Sequence, residues 1–156
     1  MSFFKCLTLT TKDKEKQNAV VMGRKTWFSI PEKHRPLAGR INIVLSRELK
    51  ELPGAHHLVP SFQEVVQLLK EPSLVKKIEK IFVIGGSSLY KEAIDSSYCS
   101  KIYLTRIDHD FQCDAFFPEL DTNKYLLIRD AEVLQEEQEE NGIKYRYEVY
   151  KRHAQL

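Results

Sequence analysis

Two stretches of this chain place glycine directly after an apolar run and directly before basic or hydroxyl side chains. Ala19-Val20-Val21-Met22 runs into Gly23-Arg24-Lys25-Thr26, and Ile81-Phe82-Val83-Ile84 runs into Gly85-Gly86-Ser87-Ser88. A strand that hands over through glycine to a helix start presents free N–H groups and partial positive charge, so it favours a phosphate. Glycine lets the backbone approach the ligand, and the hydroxyls of Thr26, Ser87 and Ser88 add donors. A third stretch, Leu45-Ser46-Arg47-Glu48, ends the apolar run from Arg40 to Leu45. With Arg24 and Lys25 it offers the cations that a free phosphomonoester, such as the 2′-phosphate of NADP, requires. Neither GxGxxG nor GxxxxGK[ST] occurs, so the Rossmann fingerprint and the P-loop do not apply. One glycine turn alone is explained by chain reversal. Two turns and a basic loop point to an anion site.

These stretches need elements to hold them. The chain has 156 residues, 42% of them apolar, which suits one domain with a sizeable core. Lys plus Arg is 24 and Asp plus Glu is 22, a net charge of +2 that argues against a nucleic-acid partner. The longest apolar runs are strand-sized, which argues against a membrane partner. Cys6, Cys99 and Cys113 are odd in number, form no CxxC pair, and follow no secretory signal. A reduced, intracellular, soluble domain is expected.

Residues 19–22, 40–45, 57–59 and 81–84 read as strands, the last without polar alternation and so covered on both faces. Lys12 to Lys16 reads as an exposed loop, and a short helix follows Gly23 and ends before Pro31. Ser61 and Glu64 form a capping box, Phe62, Val65, Val66 and Leu69 make one apolar stripe, and Pro72 closes that helix. A further helix opens at Ser87-Ser88, with Leu89, Tyr90, Ala93 and Ile94 on one face. Lys101 to Ile107 is a strand, and Asn141-Gly142 introduces a hairpin into the alternating run through Val149. The fold class is α/β: a mostly parallel mixed sheet flanked by helices with a C-terminal antiparallel hairpin, in one domain over residues 1–156. Other candidates read blandly. Trp27 and Phe28 are expected in the core, His56-His57 as an edge or surface pair, Cys113 as an unactivated thiol, and the glutamates of 132–140 and the lysines of 76–80 as solvated faces.

Val21 to Trp27 resembles the G-[KR]-x-T-[WFY] segment of dihydrofolate reductases. Arg35-Pro36-Leu37, Arg40-Ile41-Asn42 and Leu45-Ser46-Arg47 resemble that family's next block, and Val83 to Tyr90 its diglycine motif. Leu104 to Ile107 and Asp114 to Pro118 match its C-terminal blocks. The similarity runs in order from Phe3 to Lys151 and is closest to the vertebrate form.

The resemblance implies NADPH-dependent reduction of 7,8-dihydrofolate to tetrahydrofolate in one-carbon metabolism, by a monomer with no metal. Hydride passes to C6 of the pterin while N5 takes a proton. It implies that Gly23, Arg24, Lys25 and Thr26 hold cofactor phosphates, that Leu45, Ser46 and Arg47 face the 2′-phosphate with Arg24, and that Gly85, Gly86, Ser87, Ser88 and Leu89 cradle the pyrophosphate across a cis Gly–Gly bond. Arg40 would pair with the α-carboxylate of the folate tail. Phe4, Ile30 and Pro31 would line the aminobenzoyl slot, and Ile84, Tyr90 and Thr105 would sit near the pterin or nicotinamide. Departures from the pattern are Pro60 in place of an arginine and His34 in place of an asparagine. The family's first central strand, its mobile loop and its catalytic acidic residue would stand before Met1 and are missing from the pattern, with no Asp or Glu before Asp13, so the domain is expected to be N-terminally incomplete. No catalytic residue is therefore retained in this reading. The alternative is a truncated isoform that binds NADPH or folate without turnover; an RNA-binding protein ranks last, on scattered lysines only.

Overall fold

β1 (Gln17–Gly23) carries four consecutive apolar residues that are completely buried. Alternate residues point to opposite faces. Ala19 and Val21 join Ile41, Ile43, Val65, Leu74, Ile78 and Leu89 in one core cluster, while Val20 and Met22 join Trp27 and Val44 in another. Burial on both faces is why this run needs no polar alternation. The structure, a computed structural model, describes residues 3–96, 101–107, 125–128, 138–140 and 143–152. It divides into two compact units, Met1–Ala93 and Ile94–Leu156.

In the first unit β1 sits inside a wholly parallel sheet of order β3-β2-β1-β4, with β2 at Ile41–Leu45, β3 at His57–Val59 and β4 at Ile78–Gly85. α1 (Phe3–Leu9) precedes β1, and α2 (Arg24–Ser29) links β1 towards β2. α3 (Phe62–Leu69) and α4 (Pro72–Val75) link β3 to β4, and α5 (Ser87–Asp95) follows β4. The second unit is antiparallel: β5 (Lys101–Ile107) and β6 (Tyr125–Ile128) flank β8 (Ile143–Arg152), which also pairs with β7 (Gln138–Glu140). The expected fold class holds. Glu140 faces Ile143 across β7 and β8, while Asn141-Gly142, Cys99, Cys113 and the 114–118 block lie outside the described residues. Among the described residues no helix is long and apolar enough to cross a membrane.

Four local expectations are corrected. Pro72 does not end α3, which stops at Leu69 with Lys70 as its cap; Pro72 instead opens α4, where its missing N–H is harmless. Ser61 Oγ accepts the Glu64 N–H at 3.3 Å, and Leu68 rather than Val66 completes the apolar stripe. Ile81 is 49% exposed, because β4 ends the strand order of its sheet instead of lying inside it. Phe28 is 53% exposed, and the Arg35 guanidinium lies 5.4 Å from its ring centre and 5.6 Å from that of buried Trp27. A cation between two aromatic faces stabilises an arrangement that core packing alone would not.

The exposed loop at Lys12 to Lys16 is tethered from a distance. Both Glu79 oxygens accept the Lys12 N–H, at 2.9 and 3.0 Å, and one also accepts the Asp13 N–H at 2.9 Å. These backbone donors, the Asp13 one first, hold the Glu79 carboxyl below its ordinary value. A depressed carboxyl stabilises the fold above its unfolded pKa and loses that contribution as pH falls through the folded value. Glu79→Gln should therefore flatten the decline of the melting temperature on acidification below about pH 4.3, the ordinary glutamate value. Identical acid profiles for the two proteins, followed by circular dichroism, would show that the tether contributes nothing.

Candidate functional site

Strand register decides which turns meet. Gly23 at the end of β1 pairs with Leu45 at the end of β2, and Met22 pairs with Gly85 at the end of β4. A Cβ added to Gly23 would stand 3.7 Å from the Gly85 carbonyl oxygen and 3.8 Å from the Gly86 nitrogen. One added to Gly85 would stand 3.2 Å from Thr26 Oγ1 and 3.7 Å from the Tyr90 hydroxyl. The two glycine turns therefore converge at the carboxyl end of the parallel sheet, where open α/β folds bind ligands. Gly85 has φ +135°, a conformation L side chains rarely adopt, and the Gly85–Gly86 bond is cis. Gly86 is exposed, and a Cβ there would meet nothing within 4 Å. Open space thus borders the start of α5.

The Gly86 carbonyl accepts the Tyr90 N–H at 2.9 Å, so the N–H groups of Ser87, Ser88 and Leu89 belong to a first turn without intrahelical acceptors. Leu89 buries its side chain in the core and can offer a ligand only its backbone. α2 spans only six residues, so what its start offers is the side chains of Lys25 and Thr26 more than a helix dipole. Beside them, Arg24 Nη1 lies 3.2 Å from Glu48 Oε2. That pair brings Arg24 to the basic loop, where Ser46 Oγ accepts the N–H groups of Glu48 at 3.3 Å and Leu49 at 3.1 Å. Arg47 and Lys25 are exposed. The Arg24–Glu48 contact was not foreseen; as an exposed pair it is worth about 0–1 kcal/mol, which a phosphate can displace.

Arg40 presents different chemistry. It is 5% exposed, its Nη1 donates to Thr8 Oγ1 at 2.9 Å and its Nε to the Ala38 carbonyl at 3.0 Å. Among the described residues no carboxylate pairs with it and its Nη2 makes no hydrogen bond. Burial pulls its pKa below the ordinary arginine value, yet a guanidinium stays charged. A buried cation with no carboxylate beside it among the described residues has the chemistry to receive an anion. Ile30 packs on the Trp27 cluster, and exposed Pro31 leads into one 3₁₀ turn at Glu32–His34. Ile84 packs on the same cluster, and burial pushes the Tyr90 phenol up. Phe4 lies in α1 and Thr105 in β5, but their side chains lie outside the described ones.

Two supports escaped the sequence reading. Asn18, fully buried, donates to the carbonyls of Thr8 and Thr10 at 3.0 Å each and accepts the Lys80 N–H at 3.1 Å, fixing the threonine that holds Arg40. Asn42, also fully buried, donates to the carbonyls of Leu37 at 3.1 Å and Arg40 at 2.9 Å and accepts the Leu37 N–H at 2.9 Å. The available signal was an amide inside each strand, Asn18 directly before the apolar run of β1 and Asn42 interrupting that of β2.

A family model described as dihydrofolate reductase matches residues 1–152. Mouse dihydrofolate reductase is 51% identical over 152 residues, covering 96% of this chain and 81% of that protein. The viral dihydrofolate reductase of Saimiriine herpesvirus 2 (strain 488) is 50% identical, covering 96% and 71%. The solved structure of Schistosoma mansoni dihydrofolate reductase superimposes with a TM-score of 0.84 at 38% identity, covering 96% of this chain and 81% of that one.

The two glycines of the second turn should behave differently. Gly85→Ala should cost about 1–3 kcal/mol of stability, because the new side chain must accept a positive φ and press on Thr26. Gly86→Ala should leave the melting temperature near that of the parent while weakening dinucleotide binding, since its methyl enters only open space. Equal melting losses for both would contradict this geometry.

Proposed function

This chain belongs to the dihydrofolate reductase family of oxidoreductases, and on that premise we propose that it binds NADPH and dihydrofolate at the carboxyl end of its parallel sheet. The observation that carries the substrate side is Arg40, a buried guanidinium without a carboxylate partner among the described residues. In this reading it receives the α-carboxylate of the folate tail in a charge-assisted bond. Ile30 and Pro31 line the aminobenzoyl ring, and Ile84 and Tyr90 border the pterin. The cofactor side rests on the space before Gly86 and on the convergence of Gly23 and Thr26 with it. The backbone of Gly86, Ser87, Ser88 and Leu89 holds the pyrophosphate, Lys25 and Thr26 support it, and Ser46 and Arg47 take the 2′-phosphate, with Arg24 released from Glu48. Bound NADPH supplies the hydride. This reading takes the protein as a cytoplasmic monomer acting on small molecules, and the free, exposed Cys6 suits a reducing compartment.

Delivery of hydride to C6 also needs a proton at N5, and a carboxyl in an apolar pocket is the usual means. Among the described residues of the first unit no acidic side chain is buried; Asp13, Glu15 and Glu32 are all exposed. This favours a second reading, in which the 156-residue chain binds both ligands but turns over slowly. General acid assistance is worth roughly 10²–10⁴ in rate. Dihydrofolate-dependent NADPH oxidation, followed by absorbance, should therefore run at least about a hundredfold below a family member whose pterin pocket holds a carboxyl. Turnover at that member's rate would overturn the second reading. Arg40→Met should weaken folate about tenfold or more, the worth of a hydrogen bond to a charged group, with NADPH affinity unchanged. Unaltered folate affinity in that variant would remove the substrate assignment.

A further inference from the structure

The ladder between β2 and β3 begins at Ile43 and His57, and one step earlier its backbone pairing is completed by a side chain. The His56 N–H still donates to the Asn42 carbonyl at 3.0 Å, as a parallel strand would. The Asn42 N–H, however, finds no carbonyl: the chain before His56 turns away at Pro53-Gly54, closed by the Ala55 N–H on the Leu52 carbonyl at 3.2 Å. His56 Nδ1 takes its place, accepting the Asn42 N–H at 2.8 Å. Asn42 is fully buried, so without the imidazole its N–H would lose its partner inside the protein. The histidine itself is exposed, and its ring makes no other hydrogen bond among the described residues.

What Asn42 holds gives this contact its meaning. Its amide grips the carbonyls of Arg40 and Leu37, and Arg40 Nε bonds back to Ala38, so the residues that aim the guanidinium share one clamp. We propose that His56 is a positioning residue for Arg40: by ending the β2–β3 ladder with an imidazole it fixes the Asn42 clamp, and through it the place where the guanidinium meets the substrate's tail carboxylate. The inference rests on the reading of Arg40 as the carboxylate receptor. It assigns His56 no contact with substrate and no part in cofactor binding.

The test is a set of equilibrium fluorescence titrations of the purified chain with folate, with 6-methylpterin, which lacks the tail, and with NADPH. His56→Ala should weaken folate about fivefold, the equivalent of one ordinary hydrogen bond, while 6-methylpterin and NADPH bind as before. His56→Asn, whose Oδ1 can stand where Nδ1 stood, should restore folate binding, and His56→Gln should not. Amide exchange at Asn42 should accelerate in His56→Ala and recover in His56→Asn, a readout that needs no ligand. Unchanged folate affinity in His56→Ala, or an equal loss for folate and 6-methylpterin, would overturn the proposal, the latter by showing general loosening. Arg40→Met serves as the control. If it too leaves folate unaffected, or if the parent chain binds no folate, the carboxylate reading itself has failed and the inference falls with it; if only Arg40→Met weakens folate, His56 alone is misassigned.

Discussion

The parallel pairing of β1 with a neighbour on each side is the constraint from which the rest of the first unit follows. Because β1 is flanked by β2 and β4 and sealed on both faces, it cannot slip by a residue without turning its two apolar sets inside out. That fixed register sets Gly23 beside Leu45 and Met22 beside Gly85, so three loops distant in sequence emerge at one sheet end. Their approach is close enough that a side chain added at Gly85 of one turn would press on Thr26 of the other. The chemistry of the site is thus a by-product of hydrophobic burial: apolar alternation fixes the strands, and the strands aim backbone donors.

Arg40 shows the complementary use of polar groups. A buried guanidinium is costly unless its donors are met, and here two are met by Thr8 and Ala38, with no carboxylate beside it among the described residues. Asn18 holds the Thr8 carbonyl and Asn42 the carbonyl of Arg40 itself, both from within the sheet. Such fully bonded amides inside apolar strands rigidify the frame around an incomplete charge. The frame around Arg40 is therefore rigid, while the guanidinium meets no carboxylate among the described residues.

Much of this was legible in the residues. The glycine turns, the four parallel strands of the first unit and the helices after Ser61 and Gly86 follow from apolar runs ended by glycine or a capping serine, signals local in sequence. What was not legible depends on pairing between distant positions. Glu79 tethering the loop at Lys12, Glu48 engaging Arg24, and Arg35 lying between Trp27 and Phe28 each join residues whose meeting is set by topology. The apolar run of β4 looked sealed on both faces, yet edge position decides exposure and no residue type encodes it, as Ile81 shows. His56 read as a surface histidine, which it is; only the turn at Pro53-Gly54 makes its ring a backbone partner.

Whether the converging turns grip a phosphorylated dinucleotide is measured directly by a crystal structure of the chain grown with NADPH. The expected result is a pyrophosphate against the backbone of Gly86 to Leu89 and a phosphomonoester against Ser46 and Arg47. A dinucleotide seated on another surface, with the space before Gly86 left to solvent, would contradict this.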